Sequence, residues 1–331
     1  MMRARFPVVV AMMTAIGLAG CGGDEPSGAE VAAARAEKLR YEDEIAAWRE
    51  ARVARLTRPD GWLSLVGMHW LSPGATYVGS ASDNGTRLAV GPPQLGMVTL
   101  GKDGSTTLRV YPEARAMVTI DGQPAPEGDI VLVADADAPA DGGPTVVGFN
   151  KGDASFIVIK RGDRTGLRVR DALAPTRTRF PGLDYFAVNP DMRFVARFEP
   201  HPPGQTVDIV NVLGMVEPTP NPGTLTFSVP VEGPDGEATE KTFRMEAVDE
   251  GDGRLFFTFA DRTSGHETYS ASRMVYADPP GPDGTTVLDF TTAYNPPCAF
   301  TPYSTCPLPL PENRLDLAVT AGEKKPRAFP E

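Results

Sequence analysis

Histidine and cysteine are scarce in this sequence, three of each in 331 residues, and the scarcity removes several kinds of chemistry. A structural zinc site needs four N or S ligands. His69, His201 and His266 each lie more than thirty positions from Cys298 and Cys306, so no local His/Cys cluster exists and no metal or other cofactor is expected. The common hydrolase and nucleotide signatures are missing too: there is no Gly-x-Ser-x-Gly, no His-Glu-x-x-His, no phosphate loop and no Ser-x-x-Lys. His266-Glu267 has no second histidine to complete a metal motif. Positive charge is also short, with 32 Lys and Arg against 43 Asp and Glu, a formal net of −11. Such a field repels phosphate, which disfavours nucleic acid and anionic lipid surfaces as partners.

The apolar run from Phe6 to Leu18 is too short for a good membrane span. Preceded by Arg3 and Arg5 and followed by small residues, it has the three parts of a secretory signal over residues 1–20. Leu18-Ala19-Gly20-Cys21 resembles the bacterial lipobox, in which cleavage before the cysteine accompanies acylation of its thiol. The resemblance implies a lipoprotein that begins at Cys21 and is held at the membrane by its lipid. Gly22 in place of Asp resembles a signal for the outer membrane, so the expected location is the periplasmic face of that membrane. Residues 21–29 read as a tether.

Glu30 to Arg58 lacks Gly and Pro and is rich in Ala, Glu and Arg, which predicts one N-terminal helix stopped by Pro59-Asp60-Gly61. Trp62 to Leu71 is apolar almost throughout and reads as a buried plug, with His69 a core histidine. Gly and Pro, 34 and 33 residues, are scattered through the remainder, as many short strands and turns require. Runs such as Met97 to Leu100, Thr107 to Tyr111 and Ser155 to Ile159 recur about every ten residues, with Asp-Gly turns at 103–104 and 121–122, the pattern of an antiparallel sandwich or barrel. Arg161-Gly162-Asp163-Arg164 reads as a hairpin turn, and Asp135, Asp137 and Asp141 as a solvated acidic turn. Arg177 to Glu199 reads as a bridge, and β patterning resumes from Thr206 to Phe290. The expected fold is mainly β: two antiparallel β-sandwich or barrel-like halves, residues 59–200 and 201–331, with one N-terminal helix and a Pro/Cys-rich C-terminal cap.

Six prolines between Pro296 and Pro311 fix φ and remove backbone donors, so the cap is extended rather than helical. Cys298 and Cys306, eight positions apart in an exported chain, read as a disulfide closing a small loop, with a two-cysteine metal site or free thiols as rivals. Asp261, Glu267, Arg273, Asp289, Asn295, Asn313 and Glu323 are polar groups set among apolar strands and Pro-rich turns. Buried, they need partners. They read first as a structural network. The alternative is a ligand site shared with Tyr269, Tyr294 and Tyr303, or an envelope enzyme, a hydrolase for example, using a carboxylate pair such as Asp261 and Asp289.

These segments, Trp62 to Leu71, Arg161-Gly162-Asp163, Asp261 to Arg273 and the run from Asp289 through Asn295-Pro296-Pro297-Cys298, Cys306-Pro307-Leu308-Pro309, Glu312-Asn313-Arg314-Leu315 and Gly322-Glu323-Lys324, together resemble the prokaryotic family called domain of unknown function 1684. The resemblance implies no activity. The function expected from the residues is a lipid-anchored binding or scaffolding module for a small molecule, a glycan or a protein.

Overall fold

A computed structural model describes residues 27–139, 141–232 and 237–329. The expected signal peptide, the expected lipidation site Cys21 and most of the expected tether fall outside them. The residues up to Asp43 and those from Glu44 onward form two compact units. Helix α1 (Gly28–Leu56) begins two residues earlier than its composition suggests. Ser27 caps it: the Glu30 amide donates to Ser27 Oγ at 3.3 Å while the Ser27 amide donates to Glu30 Oε2 at 2.8 Å, a reciprocal capping box. Everything below belongs to residues 44–329.

Nineteen strands lie among the described residues, mainly antiparallel as their alternation predicts. The first half is a sandwich. One sheet has the order β1 (Leu65–Trp70), β11 (Arg164–Asp171), β10 (Ala154–Arg161), β9 (Val147–Phe149), β6 (Thr119–Ile120) and β7 (Gln123–Pro124). The other runs β3 (Thr86–Arg87), β2 (Gly74–Gly79), β4 (Gly96–Leu100), β5 (Thr106–Val110) and β8 (Asp129–Val131). Val78, Val98, Leu108 and Val110 of the second meet Phe149, Phe156, Val158, Leu167 and Val169 of the first in one core. The segment expected as a plug is in fact β1, paired with β11. The Arg161–Arg164 turn is the β10–β11 hairpin as expected, with Gly162 at φ 55°. The acidic turn beside it is not simply solvated: Asp135 pairs with Arg161 at 2.8 Å and Asp137 with Lys160 at 2.6 Å.

The second half is a six-stranded sheet in the order β16 (Ala238–Glu246), β15 (Gly223–Glu232), β12 (Arg193–Pro200), β19 (Thr285–Asp289), β18 (Arg273–Ala277), β17 (Leu255–Phe259). Strand β12 lies within the stretch that the sequence presents as a bridge, so this sheet begins before residue 201. The sheet curls into a half-barrel, and a single bridge just beyond β16 links its two edges, Val248 and Phe256 exchanging hydrogen bonds at 2.9 and 3.0 Å. A half-closed barrel leaves little free edge there for unwanted pairing. Its concave face buries Phe194, Phe227, Phe257, Phe259 and Phe290, and Leu315, Val319 and Ala321 of the cap fill the open side. Each fully buried aromatic contributes on the order of 1.5–3 kcal/mol relative to exposure.

A separate hairpin, β13 (Thr206–Val210) with β14 (Val216–Pro220), stands beside this barrel. Alternation decides its faces: Val207, Ile209, Glu217 and Thr219 turn inward while Asp208, Val210, Val216 and Pro218 are exposed. Asn211 shapes the tip, its Oδ1 accepting from the Leu213 and Met215 amides at 2.9 and 3.2 Å.

Candidate functional site

Most of the polar residues singled out from sequence do come together, but in two closed networks. In the first, Arg273 donates to Asp261 Oδ2 at 2.8 Å and to the Val319 carbonyl at 2.8 Å. Asp261 Oδ1 accepts from the Thr263 amide and hydroxyl at 2.8 and 2.7 Å and from the Val319 amide at 3.2 Å. In the second, Glu323 accepts from Arg52 Nε at 2.7 Å and from the Asn295 amide at 2.8 Å, while Asn295 Nδ2 donates to the Lys324 carbonyl at 2.7 Å. The Arg52 guanidinium lies 4.6 Å above the Tyr294 ring. Burial pushes the Tyr294 phenol up to about 12. Both networks bind the C-terminal segment to the body of the fold and leave no open carboxylate.

The remaining candidates are dispersed. Glu267 is exposed. Asp289 Oδ1 caps the turn that follows it, accepting from the Thr291 amide at 2.8 Å. Tyr269 donates to the Cys298 carbonyl at 3.1 Å, and the Tyr303 amide donates to Thr301 Oγ1 at 3.2 Å. Asp261 therefore does not form a solvent-reachable pair with Asp289.

Cys298 and Cys306 are adjacent as their spacing suggests, yet they are free thiols and not the expected disulfide. Cys306 Sγ instead accepts the Cys298 amide hydrogen at 3.0 Å, with Ser304 Oγ 3.5 Å away. Donation from the Cys298 thiol holds the Cys306 thiol below its ordinary value, helped by Ser304, the Cys298 amide and the Arg168 cation, while the Cys298 thiol is pushed up. Arg168 is itself buried on β11, and desolvation lowers its guanidinium to about 10. Among the described residues no group of three or more His, Cys, Asp or Glu is placed to hold a metal ion.

The open site lies elsewhere, with Asn313 alone of the sequence candidates in its wall. A half-open cavity of about 180 Å³ lies where four parts of the chain meet: the β10–β11 turn, the β13–β14 hairpin, the β16–β17 edge and the cap from Thr305 to Leu310. That is slightly larger than the ~150 Å³ engineered cavity known to admit benzene. The cap is pinned over it by Val212 donating to the Cys306 carbonyl at 2.9 Å and Leu308 donating to the Val210 carbonyl at 2.8 Å. Ile209, Val248, Phe256 and Leu308 give it an apolar side.

Three glutamates, Glu217, Glu246 and Glu250, and one arginine, Arg161, supply its charge. Each is oriented by a neighbour. Glu217 Oε1 accepts the Gly162 amide hydrogen at 3.0 Å, Glu250 Oε2 accepts from the Tyr276 hydroxyl, and Arg161 Nε donates to Thr305 Oγ1 at 3.2 Å. Asn313 is held from both sides, with Oδ1 taking the Glu246 amide at 2.7 Å and Nδ2 donating to the Glu246 and Thr258 carbonyls at 3.0 and 3.1 Å. Its donors are spent, so it frames the floor and offers a ligand at most one Oδ1 lone pair.

Glu246 is held from behind. Its Oε1 accepts from the Thr224 hydroxyl at 2.8 Å and its Oε2 from Asn221 Nδ2 at 3.1 Å, and His201 stands beside both, its Nε2 3.9 Å from Glu246 Oε2. None of these residues stands out in the sequence. Glu246 ends a β run, and His201 precedes Pro202-Pro203-Gly204 as a break. The available signal was the alternation of β13 and β14, which puts Glu217 and Thr219 on the same face as Ile209.

The fold is thus a sandwich followed by a capped half-barrel with a small acidic cavity at their junction. Residues 178–324 match the family described as "Protein of unknown function (DUF1684)", and this part of the chain belongs to that family. The matched segment holds the whole half-barrel, the cap and every cavity-lining residue except Arg161. The chain is also similar to an uncharacterized protein of Haloarcula marismortui solved by solution NMR, with 31% identity over 45% of this chain and 78% of that one and a TM-score of 0.34. No curated protein matches it.

Proposed function

We propose that this is a lipid-anchored cell-envelope binding module whose ligand site is the cavity between the β13–β14 hairpin and the cap. One observation carries the reading: three carboxylates and a single arginine already paired with Asp135 converge on a half-open cavity with an apolar side. Ionised carboxylates only accept hydrogen bonds. The ligand they suit is a small molecule rich in N–H or O–H donors, neutral or cationic, such as a short diamine or an amino sugar. A buried anion would face Glu217, Glu246 and Glu250 without compensation. The anchoring part rests on the Leu18 to Cys21 motif. Among the described residues no helix is long and apolar enough to cross a membrane, which is compatible with a lipid as the attachment.

Thermal denaturation of the purified mature chain tests the binding reading. 1,4-Diaminobutane and glucosamine raise the melting temperature, succinate does not, and Glu217→Gln weakens the response. Saturation at a hundred times Kd stabilises by ~2.7 kcal/mol, about 5 °C for a chain of this size. A response to succinate alone, or none to any of the three at 10 mM (roughly ten times a weak millimolar Kd), overturns it. Mass spectrometry of the N-terminal peptide from the native membrane checks the anchor, since an acyl mass on Cys21 is required.

A further inference from the structure

Behind Glu246 the hydrogen bonds form a closed accounting problem. Asn221 Nδ2 donates to the Ala247 carbonyl at 2.7 Å and to Glu246 Oε2 at 3.1 Å. A carbonyl only accepts, so the amide orientation is fixed and Asn221 Oδ1 must be the acceptor that faces His201 Nδ1 at 2.5 Å. At that distance two lone pairs repel, and Nδ1 therefore carries a proton. Gln205 Nε2 donates to the same Asn221 Oδ1 at 3.2 Å, so its 3.0 Å approach to Nδ1 is a neighbour's contact and the Nδ1 proton is directed at Asn221.

On the other side of the ring, His201 Nε2 lies 3.2 Å from Thr224 Oγ1, and Thr224 Oγ1 lies 2.8 Å from Glu246 Oε1. A hydroxyl has one hydrogen. If it points to Glu246, an added proton sits on Nε2 and the imidazole is a cation beside a carboxylate. If it points to Nε2, the added proton sits on Glu246 and the imidazole is neutral. One proton taken up by the row of three therefore has two seats, and two hydrogen shifts carry it from one end to the other. Nε2–H passes its proton to Thr224 Oγ as the Thr224 proton passes to Glu246 Oε1, leaving neutral His201, an intact hydroxyl and a carboxylic acid.

We propose that His201, Thr224 and Glu246 form a proton relay that makes Glu246 the acid–base group of the cavity. Thr224 is 1% exposed, so water does not enter the middle of the row. His201 and Glu246 have side chains 23% and 20% exposed, which gives the row one end toward solvent and one toward the cavity. Each Glu246 oxygen takes a protein donor and keeps a lone pair for a ligand. The other charges near the ends are Glu199 paired with Arg244 at 3.0 Å beside His201, and Arg161, Glu217 and Glu250 around the cavity. The chemistry that fits is proton transfer with a neutral or cationic small molecule, Glu246 touching it and His201 and Thr224 acting as positioning residues. That purpose rests on the cavity being a ligand site; the proton count does not.

The test uses the mature protein labelled with 15N-histidine, in which only three histidines give signals. At pH 7 His201 is expected to carry a hydrogen-bonded Nδ1 proton, with its Nε2 proton shared. Glu246→Gln lowers the ratio of doubly to singly protonated His201 roughly tenfold, the scale of losing one close carboxylate. Thr224→Val removes the bridging hydroxyl but leaves the 3.9 Å approach of His201 Nε2 to Glu246 Oε2, so it has the same sign and a smaller size, whereas Thr224→Ser keeps the hydroxyl and the wild-type signal. Unchanged His69 and His266 signals show that each variant is folded. A neutral His201 with a bare Nδ1, or a protonated fraction that Glu246→Gln leaves unaltered, overturns the relay, as does Thr224→Val behaving like Thr224→Ser. Binding of diaminobutane beside either result separates this failure from that of the ligand reading.

Discussion

Arg273 and Asp261 are joined at 2.8 Å with side chains 1% and 0% exposed, and the guanidinium also donates to the carbonyls of Val319 and Ala321. An ion pair in that position contributes little over a well-packed apolar pair, but breaking it strands a charge. Desolvation lowers the Arg273 guanidinium for the same reason. Asp261→Asn is expected to cost about 3–5 kcal/mol in urea denaturation, while Asp261→Leu with Arg273→Met costs less than the single change. Equal losses for the single and double variants remove the argument.

Arg52 ties helix α1 to the C-terminal segment through Glu323 Oε1 at 2.7 Å and the Asn295 carbonyl at 2.9 Å. Arg52→Ala is expected to release this end of the helix. Hydrogen exchange reads the result as lost protection over residues 45–56 with the sandwich strands unaffected. Protection that survives shows that Leu56, buried against Leu63 and Phe300, holds the helix alone.

Gly322 has φ 76°, and a Cβ there would lie 2.4 Å from the Ala293 carbonyl oxygen. Neither the backbone angle nor the approach suits a side chain. Gly322→Ala is expected to lose about 1–3 kcal/mol, seen as a lower denaturation midpoint. A neutral result means that the 290–293 turn can shift to make room.

His69 sits half-buried on β1, and burial lowers its imidazole below the ordinary value of 6.5. The folded chain keeps it neutral where the unfolded chain would protonate it. That preference contributes stability above pH 6.5 and loses it as pH falls toward the lowered folded value. His69→Gln should flatten the decline in stability between pH 6.5 and 5, measured as urea midpoint against pH. A variant that declines as steeply as the parent assigns the acid sensitivity to other groups.

The fold was legible where alternation was strong. Ser155 to Ile159 and Gly166 to Val169 read as strands because one face of each enters the core, and Phe156 and Val158 do so. Strand β12 was obscured because Pro181-Gly182 and Pro190 precede it, although Phe194 and Ala196 alternate with exposed Arg193 and Val195. In β1, two tryptophans near an apolar run imitate a plug. The candidate site was read half correctly. Polar residues amid apolar ones do signal a network, but only the partner decides whether it is closed, and Glu323 finds Arg52 at a separation of 271 positions. The cavity left no such trace: its glutamates come from a hairpin and a strand end, and acidic residues at such positions are ordinarily solvated.

The cap segment from Leu315 to Glu323 also sets an order of events. Until it leaves the ribosome, the half-barrel has an open apolar side, Arg273 lacks the Val319 carbonyl and Arg52 lacks its carboxylate. Closure of the half-barrel therefore waits for residues 315–323, and the strands made before them have nothing to close against until then.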